Sequence, residues 1–139
     1  MKNKNNHFAN RRKSFRTSKN IYQSFKYAFN GIIYCFKNTR NFRVELIFAF
    51  LSLILGFILK LNNNQLIILI ATILSVLMLE LLNTSIEATV DLITEKRFNK
   101  LAKVAKDCSA ASVLLASINS LFVAVYLFFP KIKLILINL

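Results

Sequence analysis

Glu80, Asn83, Glu87 and Asp91 recur at spacings of three or four residues, so on an α-helix they point at roughly 0°, 300°, 340° and 20° and share one narrow face. The stripe begins inside the apolar run Leu66 to Leu82 and continues out of it. An ionisable group at membrane depth is costly and marks a functional site by default, and the chain has only six acidic residues to place. Glu87 and Asp91 are suited to Mg²⁺, which takes a few oxygen ligands shared with phosphate oxygens, while Lys106 and Lys103 would neutralise the phosphates. Glu80, deeper and less hydrated, suits a general base that accepts a proton from a lipid hydroxyl. Asn83, one turn on, is placed to orient either group. Blander roles stand beside these: an interhelical hydrogen bond or ion pair for Glu80, pairing with Arg40 or Arg43 for Glu45, and a solvated face for Glu95 and the lysines from Lys96 to Lys103.

The elements that must carry this stripe are membrane helices. A hydrophobic content of 55% and a mean hydropathy of +0.49 over 139 residues exceed what an ordinary soluble domain carries. Three spans are expected, from about Val44 to Leu61, from Leu66 onward, and from about Ala110 to Phe129, each long enough for hydrocarbon. The second does not stop with its apolar run, because Leu81, Leu82, Ile86, Val90 and Ile93 continue the helical period. It should emerge as a protruding helix, with Glu80 near the interface and Glu87 and Asp91 in reach of a water-soluble ligand. Before the spans, Ile21, Phe25, Phe29, Ile32 and Phe36 form one face of an amphipathic helix over residues 21–37, expected to lie in the membrane interface. Residues 1–20 are expected to be a basic disordered arm, and 131–139 a short apolar tail. Ser112, Ala116 and Ser120 make a small-residue ridge suited to close helix packing and oligomerisation.

Net charge is +13, and 11 of the 19 Lys and Arg precede Val44, clustered at Arg11, Arg12, Lys13, Arg16 and Lys19. Beside membrane spans this block reads as a contact to anionic lipid head groups, and no nucleic-acid partner is expected. The flanking Lys and Arg place the N-terminus and the Thr94 to Asp107 segment in the cytosol by the positive-inside rule. The acidic stripe then faces cytosolic solutes, nucleotides included. Cys35 and Cys108 are isolated, and His7 stands alone in the polar arm, so disulfide, thiolate-metal and Ser-His or Cys-His chemistry are not expected. Gly31 and Gly56 are the only glycines, which excludes a P-loop and a Gly-rich kinase loop.

The string Glu80-Leu-Leu-Asn83-Thr-Ser-Ile-Glu87-Ala-Thr-Val-Asp91, followed by Ala105-Lys106-Asp107-Cys-Ser-Ala-Ala, closely resembles the signature of the small integral-membrane prokaryotic diacylglycerol kinases, a family that includes undecaprenol kinases. The likeness extends through Phe25-Lys-Tyr27-Ala-Phe-Asn-Gly31 and Arg40-Asn41-Phe42-Arg43, covering about Ile21 to Pro130. It implies a homotrimer of three-span subunits, each with an N-terminal surface helix, in the inner (plasma) membrane. It also implies Mg²⁺- and ATP-dependent phosphorylation of a lipid hydroxyl. By motif position, Glu80 would be the catalytic base, Glu87 a metal ligand, and Asn83, Lys106 and Asp107 part of the site with the nucleotide, with Tyr27 near the nucleotide as well.

One position departs from the enterobacterial pattern: where that pattern has a second metal-binding Glu, this chain has Thr39, a weaker Mg²⁺ ligand. Glu45 is an awkward substitute, since six residues of helix put it about 120° round the axis and roughly 9 Å away. Thr at this position resembles cyanobacterial-type members and inclines the acceptor toward diacylglycerol, with undecaprenol as the alternative. The expected architecture is an all-α membrane protein with a lipid kinase domain over 21–130. The non-enzymatic rival, a small ion-coupled transporter or scaffold, calls for a carboxylate near the bilayer centre with water access from both sides, whereas this stripe is off-centre.

Overall fold

The computed structural model describes residues 20–137; the basic cluster from Arg11 to Lys19, His7 and the last two residues lie outside them. Four helices follow in order: α1 Ile21–Asn38, α2 Arg40–Ile58, α3 Asn63–Thr94 and α4 Lys100–Ile137. No strand occurs among the described residues. Two compact units divide the chain, one up to Tyr34 and the other from Cys35 onward. In the first, the α1 residues Ile21, Phe25 and Phe29, which share its apolar face, are all exposed.

In the second unit, α2, α3 and α4 are each long and apolar enough to cross a membrane. Their outer faces present Ile47, Phe48, Phe50, Ile67, Leu114, Leu121 and Phe122, an apolar surface far larger than a soluble monomer carries. The chain is a multi-pass membrane protein by this architecture.

Every span begins earlier than hydropathy alone places it. α2 starts at Arg40 rather than Val44, because Thr39 is extended (φ −106°, ψ 117°) and the polar turn Arg40 to Arg43 is already helical. Arg43 folds back to donate to the carbonyls of Phe36 (3.4 Å) and Lys37 (3.2 Å), satisfying acceptors at the end of α1. α3 starts at Asn63 rather than Leu66 because Asn62 and Gln65 form a capping box: Gln65 N–H donates to Asn62 Oδ1 at 2.9 Å and Asn62 N–H to Gln65 Oε1 at 3.0 Å. α4 starts at Lys100, where Asn99 Oδ1 accepts from the N–H groups of Leu101 and Ala102. It also runs through Pro130 to Ile137, beyond the expected end of the span at Phe129.

α3 is one continuous helix of 32 residues, about 48 Å long, against a hydrocarbon thickness of about 30 Å. The helix continues past the apolar run to Thr94 and carries the whole stripe from Glu80 to Asp91. α3 closes at Glu95 and Lys96, both left-handed (φ 52° and 61°), with Lys96 N–H bonded to the Asp91 carbonyl. α3 packs on α2 and, more extensively, on α4. At one end of this bundle Leu59, Leu61, Leu69, Leu127 and Phe128 form the apolar core. Gly56 sits inside it, where a Cβ would come within 3.2 Å of Leu61 and 3.3 Å of Leu69. The other end buries polar groups instead.

Candidate active site

That polar end is organised by α3. Glu80 is 1% exposed and Asn83 is buried, whereas Glu87 has emerged into an exposed position about 10 Å further along the axis. Asn83 donates from Nδ2 to Glu87 Oε1 at 3.3 Å and accepts on Oδ1 from the buried Ser109 hydroxyl of α4 at 2.6 Å. The same hydroxyl lies 2.9 Å from the Lys106 carbonyl, so its one proton serves either acceptor. Of the two partners considered for Asn83, the structure selects Glu87. Both oxygens of Glu80 are buried without a hydrogen-bond partner.

Asp91 is paired with Lys106 across α3 and α4 at 2.5 Å, and both side chains are partly exposed. Asp91 is therefore occupied by the very lysine expected to face phosphate. Beside this pair opens a cavity of about 540 Å³, whose lining includes Asp91, Lys96, Arg97, Lys103, Lys106 and Asp107. Four cations against two carboxylates give its lining a net positive charge, and Phe98 adds an aromatic face. The cavity exists because α3 and α4 are joined by only the five residues 95–99, so the basic connector folds over their ends.

Thr39 places its hydroxyl 3.5 Å from that of Thr84 on α3, and Thr84 in turn donates to the Glu80 carbonyl. Glu45 does not pair with Arg40 or Arg43: Arg43 is committed to backbone carbonyls, and Glu45 Oε2 is buried and unpartnered. The ion-pair option for Glu45 is thus corrected. Glu95 does fulfil its bland role, in an exposed 3.5 Å pair with Arg97 of the kind that contributes little to stability. Tyr27 lies exposed on α1, in the first unit. The ridge residues Ser112, Ala116 and Ser120 are half-buried within the chain's own bundle, and Ser112 and Ser120 return their hydroxyls to backbone carbonyls of α4.

The residues test as a partial fit for Mg²⁺. No group of three His, Cys, Asp or Glu gathers among the described residues, while the exposed Glu87 accepts from Asn83 on Oε1 alone. One or two carboxylates with phosphate oxygens and waters is the usual Mg²⁺ arrangement. Ser109 is the contact that motif reading left without a role. Its spacing of three from Lys106 was visible, but its reach to Asn83 depends on how α4 packs on α3.

A family model described as prokaryotic diacylglycerol kinase matches residues 26–128, across the polar end and all three spans. The chain belongs to this family. A diacylglycerol kinase of Synechocystis is 36% identical over 122 residues, 88% of this chain and 70% of that protein. The undecaprenol kinase of Bacillus subtilis is 38% identical over 112 residues, 81% of this chain and 90% of its own length. A diacylglycerol kinase of Haemophilus influenzae is 38% identical over 96 residues, 69% and 80% of the two chains. Membership makes the chain a lipid kinase and disposes of the transporter reading. The stripe from Glu80 to Asp91 accordingly belongs to a phosphotransferase.

Proposed function

We propose that this kinase transfers the γ-phosphoryl of Mg-ATP to the primary hydroxyl of diacylglycerol, giving phosphatidate at the cytosolic face of the inner (plasma) membrane. The observation that carries the reading is the gradation along α3: a buried, unpartnered Glu80 below, the Asn83–Glu87–Ser109 cluster above it, and a basic cavity beyond. A lipid hydroxyl arrives from the apolar side and a nucleotide from the aqueous side. Glu80 accepts the hydroxyl proton. Asn83 and Ser109 hold Glu87 in place, and Lys106 with Asp107 and the connector cations bind the phosphates. Mg²⁺ at Glu87 would supply charge neutralisation for the transferring phosphoryl group. Positioning and electrostatics provide most of the acceleration in such a transfer. Tyr27 contributes to the nucleotide side.

The functional unit is read as a homotrimer, with α1 and the basic arm lying on anionic lipid head groups. Positive charge at the N-terminus and around residues 96–106 supports the cytosolic orientation of both.

Undecaprenol is the second acceptor to consider, since the Bacillus relative named for it is as similar as those named for diacylglycerol. Purified protein assayed with Mg-ATP and each lipid in turn decides between them. Diacylglycerol is expected to turn over with the higher kcat/KM, and a higher value for undecaprenol reverses the assignment. Glu80→Gln is expected to insert and assemble normally yet lose phosphoryl transfer to either lipid. Near wild-type turnover in that variant rejects Glu80 as the base.

A further inference from the structure

The tip where α3 passes into α4 carries four large apolar side chains that stand mostly in the open: Leu92 is 80% exposed, Ile93 75%, Phe98 87% and Leu101 78%. They belong to the last turn of α3, the connector and the first turn of α4. Lys96, Arg97, Lys100 and Lys103 stand among them, and the one carboxylate from residue 92 to 103 is Glu95, already paired with Arg97. Lys96, Lys100 and Lys103 enter no ion pair among the described residues. Leu92, Ile93, Lys100 and Leu101 also lie outside the lining of the cavity, so a ligand held there leaves them uncovered.

The length of α3 sets the depth of this tip. At about 48 Å it exceeds the hydrocarbon but matches a whole bilayer of about 40–45 Å with its head-group layers, the more closely for a tilt of about 20°. At its other end α3 begins on Asn62 to Asn64, polar residues suited to the head-group layer there. The tip therefore emerges in the opposite head-group layer rather than in bulk water. At that depth apolar side chains lodge at the boundary with the acyl chains, while lysines reach outward to phosphates. In water the same four side chains would make an apolar cluster of the kind that free surfaces avoid. The surplus of cations selects lipids of negative charge.

We propose that the α3–α4 tip is seated in the membrane surface on anionic phospholipid head groups, with Leu92, Ile93 and Leu101 lodged among the lipids. Lys100, in the field of Lys96, Arg97 and Lys103, holds a head-group phosphate. This contact is separate from the one read for α1 and the basic arm, since the tip belongs to the other unit of the chain. It does not rest on the phosphoryl-transfer reaction.

The chain has no tryptophan, so a single one introduced at the tip reports its surroundings alone. The test is fluorescence of the full chain carrying Leu101→Trp, and separately Leu92→Trp, in vesicles whose lipids are brominated near the top of the acyl chain. Phe122→Trp, on the exposed outer face of α4 within the span, is the control quenched in every vesicle. In phosphatidylglycerol vesicles both tip variants are expected to emit in the blue and to be quenched by bromine. Quenching should fall in phosphatidylcholine vesicles and in 1 M salt, where the screening length shrinks to about 3 Å. Adding Lys100→Gln, which leaves the cavity lining intact, should shift the balance toward the unquenched form by roughly fivefold, the worth of one cation near an anionic surface. Red, unquenched emission in phosphatidylglycerol puts the tip in water and overturns the proposal. Blue emission without quenching means that a second copy covers the tip, and overturns it as well. Quenching indifferent to lipid charge, salt and Lys100→Gln overturns the head-group contact.

Discussion

The two ends of the three-helix unit are built from the same helices to opposite specifications. At one end Leu59, Leu61, Leu69, Leu127 and Phe128 interlock, and Gly56 lets the chain turn tightly enough for Leu61 and Leu69 to close over it. At the other end, Glu80 is buried more deeply than Leu59, Leu61 or Leu69, yet its oxygens are unmet. An apolar side chain gains from burial, whereas a carboxylate without a donor is destabilised by several kcal/mol unless it takes up a proton or a partner. The polar end thus carries a deficit that the apolar end must offset. The unmet carboxylate of Glu80 and Leu69 of the apolar core lie on the same helix, only about 16 Å apart along it.

This division can be broken from either side. At the polar end, Glu80→Gln should cost about 10²-fold to 10⁴-fold in kcat, the usual range for losing a general base, with thermal stability unchanged or raised because a buried charge is gone. At the apolar end, Leu127→Ala removes a side chain with no exposure and should cost about 2–5 kcal/mol in a detergent unfolding titration. Its turnover per folded molecule should stay close to wild type. A Leu127→Ala protein that is stable but inactive, or a Glu80→Gln protein that unfolds, merges the two ends into one unit.

Gly56→Leu is a sharper probe of the apolar end. Added atoms would meet Leu61 and Leu69 at contacts already as short as 3.2 Å for a Cβ alone, and overpacking of this kind costs about 1–3 kcal/mol. Ser109→Ala probes the polar end by a single hydrogen bond. Losing the 2.6 Å bond to Asn83 Oδ1 should weaken the transition state by about 1 kcal/mol, roughly fivefold in kcat/KM, through a less well-aimed Glu87. If Ser109→Ala lowers stability and leaves kcat/KM alone, the bond belongs to packing.

The stripe and the protruding helix were legible because both follow from a single period. Apolar positions from Leu66 to Ile93 recur at helical spacing whatever their surroundings, so the helix could be traced past the end of its apolar run. Helix starts were less legible. Hydropathy marks hydrocarbon, whereas Arg40 to Arg43, Asn63 to Gln65 and Lys100 to Asp107 are polar turns made helical by caps and packing. The pairing of Asp91 with Lys106 was not legible at all, because it depends on how α4 packs on α3.

The smallest expected effect lies at the connector that roofs the cavity. Glu95 ends α3 in the left-handed region (φ 52°), where a side chain costs about 1 kcal/mol relative to glycine. Its ion pair with Arg97 is exposed on both sides and offsets little of that. Glu95→Gly should therefore stabilise the unit by up to about 1 kcal/mol in the same unfolding titration. The substitution also removes a carboxylate beside Lys96 and Arg97, two of the cations lining the cavity, so KM for ATP should fall slightly or hold. A rise in that KM would mean that the strained turn, rather than its charge, holds the cavity open. The connector would then belong functionally with the polar end, and its strain with the site's unmet carboxylates.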